Sequence, residues 1–253
     1  MAKMFGSFTS TNPLINLYRH VLEPLSGAGY HLVVPDMRGH GASSHPPHGY
    51  TKSILAEDMY HPPRDRLGRG GPIYVIGHDI GGMALIRGEC PIPGTTVFED
   101  TKASQKQFHF TFQAHFDLDV HVVTGKEKAY LKHFYDKLSC NAAGIPPGVL
   151  DHYALMYSQS GALRCAFSTY EAFEQDAVEN GKRLKDHGKC GLPTLGLDGQ
   201  HSSHATDMEA MLPEMYENFS CEVVPNSGHW IAENPVEFVR PVLGFFQKHP
   251  IPY

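Results

Sequence analysis

Asp79 stands among small residues in the run Gly77-His78-Asp79-Ile80-Gly81-Gly82, directly after the apolar stretch Ile73-Tyr74-Val75-Ile76. The apolar stretch reads as a buried strand, and the glycines permit the tight turn and close backbone approach of a strand-to-helix elbow. An elbow of this kind lifts one side chain above the end of its strand. Here that side chain is a carboxylate, which attacks an sp3 carbon, as in an epoxide or an alkyl halide, and forms an alkyl ester. The plainer alternative is a strand-terminal Asp that caps the next helix. His229, in Ser227-Gly228-His229-Trp230, carries an imidazole, the side chain suited to a base near neutral pH. Its alternative is a packed core histidine.

These groups need a scaffold. The spacing of Leu14, Leu17, Val21, Leu22 and Leu25 predicts a helix over Asn12–Ser26, with Asn12 as cap and Pro13 in the first position. Strands are expected at Tyr30–Val34, Ile73–Ile76, Leu192–Leu197 and Cys221–Val224, and helices at Ser53–Tyr60, Thr206–Tyr216 and Asn234–Lys248, the last capped by Asn234. Between about Lys102 and His187 the texture changes: aromatic and histidine residues are dense, and helical periodicity runs through Glu127–Leu138, Gly148–Tyr157 and Gly161–Phe173. Strands alternating with helices imply an α/β fold with a mostly parallel sheet covered on both faces. In such sheets the site lies at the carboxyl ends of the strands, where Asp79 falls.

A chain of 253 residues with 41% hydrophobic content suffices for one large core with an inserted helical subdomain. The net charge of −6, without a basic run, argues against nucleic acid. No apolar stretch reaches membrane-spanning length, and the N-terminus lacks a signal-peptide apolar region. Five dispersed cysteines without a CxxC suit free thiols in a reducing cytoplasm. The 17 histidines include no HExxH pair, so no metal or other cofactor is expected. His201 and His204, in a polar loop, are expected to face solvent.

With these residues in view, the chain resembles the α/β-hydrolase family in its epoxide hydrolase branch. Val34-Pro35-Asp36-Met37-Arg38-Gly39-His40-Gly41-Ala42-Ser43 looks like the branch's strand-and-turn signature. Gly77–Gly82 matches its elbow, and Ser227–Trp230 with Glu233-Asn234-Pro235 looks like the loop of its catalytic histidine. The resemblance implies an α/β-hydrolase core over residues 1–101 and 188–253 and a helical cap over 102–187. It makes Asp79 the nucleophile, His229 the base that hydrolyses the ester, and the Ile80 N–H an oxyanion donor. Two acids are available to orient His229. Glu89, in Gly88-Glu89-Cys90-Pro91-Ile92-Pro93-Gly94, is preferred because its local motif is similar to that of a subgroup; Asp198, after its strand, is where many other hydrolases place the acid. The same subgroup opens the epoxide with a His/Tyr pair from the cap. Phe108–Phe112 resembles the segment carrying that His, and Ala166–Ala172 the one carrying that Tyr, so His109 and Tyr170 are the expected donors to the developing alkoxide.

The chain departs from the family pattern twice. No HG-x-P segment precedes Tyr30, leaving Ile80 as the oxyanion donor. Asp79 and Glu89 are ten residues apart, fewer than the dozen or more of a parallel crossover. The expectation is therefore an N-terminal and an internal deletion, and an incomplete sheet with a gap beside the nucleophile. The expected substrates are a small apolar or aromatic epoxide and water. Two other functions remain open: a dehalogenase acting through the same Asp, and a catalytically weak homologue with a binding role. A dehalogenase needs a halide cradle, often with Trp, and the one Trp here is Trp230. Absence of GxSxG argues against a Ser esterase.

Overall fold

A computed structural model describes residues 3–5, 14–61, 71–85, 91–102, 104, 107–141, 147–230 and 233–251. Five short strands carry the α/β part: β1 (Lys3–Phe5), β2 (His31–Val33), β3 (Tyr74–Val75), β4 (Thr194–Gly199) and β5 (Phe219–Val224). All described pairings are parallel, as the alternation of elements predicts. They form two groups, β2-β1-β3 and β4-β5, and no described pairing joins β3 to β4. Among the described residues, β3 is therefore an edge of its group. Residues 6–13, which follow β1, and 86–90, which include Glu89, lie outside the described residues, so the expected deletions and that acid have no structural description.

β1 is absent from the expectations above, and it is the central strand of its group. Lys3-Met4-Phe5 is too short to show a period of two. Only its neighbours on both sides make it a strand.

Helices α1 (Leu14–Gly27), α2 (Lys52–His61) and α12 (Pro235–Lys248) cover this part. Tyr18, Val21 and Leu25 bury one face of α1 in a cluster with Phe238, Val242 and Phe245 of α12, the i, i+3, i+7 spacing that makes an apolar stripe. α12 begins at Pro235 as expected, but Asn234 does not cap it with its side chain. Its Nδ2 instead donates to the Pro225 carbonyl at 3.0 Å, where it tethers the loop that carries His229.

Helix α3 (Ile80–Leu85) follows the elbow, and between it and β4 run α4 (Thr96–Thr101), α5 (Phe108–Phe112), α6 (Phe116–Val123), α7 (Glu127–Leu138), α8 (Pro147–Tyr157), α9 (Ala162–Glu171) and α10 (Phe173–His187). The helix expected over Gly161–Phe173 stops at Glu171, and a second starts at Phe173. These inserted helices have their own core, which includes Leu131, Tyr135, Tyr153, Phe167 and Trp230. The last of these belongs to the His229 loop, so it pins the insertion to the sheet part. Helix α11 (Asp207–Met215) packs on β4.

Three further ties set the insertion over the strand ends. Lys52 of α2 is buried with Asp176 of α10, Nζ to Oδ2 2.8 Å, and also donates to the Thr169 carbonyl at 2.7 Å, one residue before Tyr170. The turn at 36–44 is wound around Asp36, whose Oδ2 accepts the Ala42 N–H at 3.0 Å. Gly41 has φ +54, and a Cβ there would lie 2.2 Å from that carboxylate. Gly39 is needed for a different reason: a Cβ would lie 2.4 Å from the Cβ of Cys165 on α9. Among the described residues no helix is long and apolar enough to cross a membrane.

Candidate active site

Asp79 follows β3 and holds φ +54, a left-handed conformation that L-residues other than Gly seldom adopt. Strain of this kind costs about 1–3 kcal/mol and persists only where the surroundings impose it. Gly77 shows how they do so. A Cβ at Gly77 would sit 2.6 Å from the Gly81 carbonyl oxygen, so strand and helix approach too closely for any side chain. Asp79 directly precedes α3, its carbonyl accepts the Met83 N–H at 3.0 Å, and its carboxylate faces an imidazole.

That imidazole is His229. Its Nε2 lies 3.7 Å from Asp79 Oδ2, and both residues are buried. Burial alone would raise the Asp79 pKa. His229 outweighs it, with His78 and His109 adding to the positive side, and holds the carboxyl below the ordinary carboxylate range. A charged carboxylate in a dry setting is a poorly solvated, available nucleophile.

The backbone of His229 is fixed from three directions. His78, inside the elbow, has Nε2 2.7 Å from the His229 carbonyl oxygen and donates to it. The His229 N–H donates to the Leu138 carbonyl at the end of α7, 2.9 Å away. Gly228 leaves the room for that approach, since its Cβ would fall 2.4 Å from the same Leu138 oxygen. Trp230 is stacked on Tyr135 (centroids 4.6 Å, 28°) and borders the rings of His78 and His229. The role of His78 was not anticipated. Only its place inside the elbow motif hinted at one.

His109, on α5, is largely buried, and burial first of all pushes its pKa down to about 4, against the pull of Asp79. It is thus a neutral imidazole with one N–H to donate. Its ring meets that of Tyr170, on α9, edge to face at 5.8 Å. The two cap residues named from sequence therefore come together, from helices about sixty residues apart, and Asp79 acts electrostatically on the first of them. Ile80 is fully buried and opens α3, so its N–H belongs to the first turn, whose donors have no acceptor within the helix.

Asp198, on β4, points elsewhere. Its Oδ2 accepts the Met208 N–H of α11 at 3.3 Å, its Oδ1 is buried without a hydrogen-bond partner, and burial pushes its pKa up to about 7. His204 corrects another expectation: it is buried, not solvent-facing. Its Nδ1 is 2.5 Å from Asp207 Oδ2 and its Nε2 2.5 Å from the amide nitrogen of Gln107, the residue that opens α5. Asp207 accepts a hydrogen bond from the Nδ1–H, so Nε2 accepts from Gln107. The loop's polar sequence concealed this contact because Gln107 is 97 residues away.

The sequence pattern of the alpha/beta hydrolase family matches residues 15–240. The chain belongs to this family. Soluble epoxide hydrolase from Corynebacterium sp. (strain C12) is 25% identical over 248 residues, 88% of this chain and 82% of that protein. Epoxide hydrolase 3 of Xenopus tropicalis is 25% identical over 271 residues, 91% of this chain and 67% of that one. The crystal structure of the Cif epoxide hydrolase from Acinetobacter nosocomialis superposes with a TM-score of 0.80 at 19% identity, covering 97% of this α/β hydrolase and 82% of that chain. At such identity the structural likeness speaks for the fold. The resemblance read from the sequence is thus borne out at the level of family and of epoxide hydrolase relatives.

Proposed function

We propose that this α/β hydrolase hydrolyses epoxides through an ester at Asp79. The observation that supports this best is the grouping of a charged, buried carboxylate, one imidazole beside it, and a neutral His109 meeting Tyr170. Asp79 attacks an epoxide carbon and the C–O bond opens. His109 and Tyr170 donate hydrogen bonds to the departing oxygen, which takes the Tyr170 hydroxyl proton and becomes the first hydroxyl, leaving a tyrosinate. His229 then removes a proton from water, and the hydroxide adds to the ester carbonyl while the Ile80 N–H holds the oxyanion. Collapse expels the second oxygen, which takes the proton of the new carboxylic acid, releasing the diol and restoring the carboxylate, and the proton held by His229 returns to Tyr170. Glu89 is the proposed acid behind His229, on its motif; Asp198, engaged with Met208, is not needed for this role.

Residues 102–187 form the cap in this proposal, and its aromatic rings suit an apolar or aromatic epoxide. Trp230 is enclosed by Tyr135 and two histidines. Four described cysteines carry free thiols, in keeping with a cytoplasmic enzyme.

The test is His229→Gln with styrene oxide, read by intact mass. A gain equal to the whole epoxide, mapped to Asp79, is expected. Diol formation that survives in Asp79→Ala overturns the proposal, as does folded His229→Gln protein that never gains mass.

A further inference from the structure

Buried hydrogen-bonding atoms are normally paired, and an exception calls for a partner of some kind. One acceptor in the inserted helices lacks one among the described residues. Gln113 is 5% exposed; its Nε2 donates to Tyr130 Oη at 2.6 Å, but its Oε1 has no hydrogen-bond partner among them.

Gln113 lines a small cavity of about 40 Å³, together with Glu127, Tyr130, Phe134 and Tyr170 among others. A water needs about 10–15 Å³ of such space, so more than a single water fits. Two of the lining rings, Phe134 and Tyr170, also pack on His109, at 5.3 and 5.8 Å between centroids. Gln113 lies one turn beyond His109 on the same face of α5, its N–H bonded to the His109 carbonyl at 2.9 Å. Four residues advance a helix by about 6 Å. The cavity therefore begins where the ring-opening pair ends, and on its largely apolar wall Gln113 Oε1 is an acceptor that needs a donor.

We propose that this cavity is a substrate subsite for a hydrogen-bond donor, and that the enzyme favours epoxides bearing a hydroxyl about one helical turn from the epoxide oxygen, held by Gln113. This rests on the epoxide reading above and names the substrate class for it.

The test compares kcat/KM for hexene oxide and its omega-hydroxy and omega-methoxy analogues. One charge-neutral hydrogen bond is worth about tenfold, so the hydroxy compound is expected to lead both others by about that factor. Gln113→Leu should bring the ratio to about one. If that variant does not fold, the wild-type series alone decides. Equal rates for the three compounds overturn the subsite and leave the epoxide reading standing, with ordered water as the occupant. A lead for the methoxy compound also overturns it, because the amide would then present its N–H. If no epoxide is turned over, the epoxide reading fails. Wild-type binding of hexanetriol against hexanediol, followed by NMR, then reads the subsite without chemistry: equal affinity overturns it, and about tenfold tighter triol binding supports it.

Discussion

The His78 ring nitrogen donates to the His229 carbonyl oxygen across 2.7 Å, so the elbow that positions Asp79 also positions the imidazole facing it. The two halves of the site, 151 residues apart, are coupled by one buried bond. His78→Phe leaves a buried carbonyl unpaired and should cost about 1–3 kcal/mol, read as a lower urea midpoint. His78→Gln, which can still donate, should lose less. Burial, with His229 adding, depresses the His78 pKa to about 4 in the folded chain, against about 6.5 unfolded. A depressed histidine contributes stability that is present above about pH 6.5 and lost as pH falls toward about 4. His78→Gln should therefore flatten the acid side of the stability profile. An unchanged acid slope would show that His78 titrates normally.

Gly77→Ala tests the elbow. The added Cβ would meet the Gly81 carbonyl oxygen at 2.6 Å, a backbone atom that cannot swing away. We expect a loss of about 1–3 kcal/mol in stability and displacement of Asp79, seen as slower ester formation in a His229→Gln background. Ala at Gly181, an exposed interior position of α10 where nothing lies within 4 Å, is the control: it should leave ester formation unchanged and add about 0.5–1 kcal/mol of stability.

His204→Phe removes the acceptor for Gln107 at the start of α5. A five-residue helix is not stable by itself, so its tertiary anchors decide where His109 sits. His204 is a positioning residue in this view. The variant should slow ester formation by about tenfold or more, while hydrolysis of the preformed ester is unaffected. His204→Gln, which keeps an acceptor, should restore part of the rate. Equal slowing of both steps would mean a general loss of structure.

Asp198→Asn separates stability from chemistry. Burial raises this carboxyl to about 7 when folded, against about 3.9 unfolded. The raised pKa gives stability that is complete below about pH 4 and is lost as pH rises through about 7. The neutral amide escapes that loss, so the variant should gain on wild type by about 4 kcal/mol on going from pH 4 to pH 8. Diol formation should stay within about twofold, since the Asp198 carboxylate is engaged with the Met208 N–H rather than with His229. A collapse in ester hydrolysis would assign Asp198 to His229.

Lys52→Met leaves Asp176 buried without its cation and should cost about 3–5 kcal/mol by urea unfolding. The double variant Lys52→Met/Asp176→Leu should recover most of it, because two apolar groups replace two desolvated charges. Recovery would show that the pair places the helices rather than stabilising the fold.

Most of this protein's local structure was legible in its residues. Apolar periodicity located α7 from Glu127 to Leu138 and placed α1, α8, α11 and α12 within one or two residues, because each helix buries one stripe of its own side chains. The glycine spacing around Asp79 announced the elbow, since φ +54 and a 2.6 Å approach are local demands on residue type. The motif segments brought His109, Tyr170 and His229 into view as candidates. What the sequence could not determine was long-range. β1 has three residues and is a strand only through its two neighbours. His204 reads as a loop histidine until Gln107 arrives from 97 positions away, and Lys52 reads as a surface lysine until Asp176 does from 124. Residue type and spacing encode what a side chain demands of the nearest turn or two of chain. Which buried polar group finds which partner is settled only when the helices pack, because an unpaired one is too costly to bury.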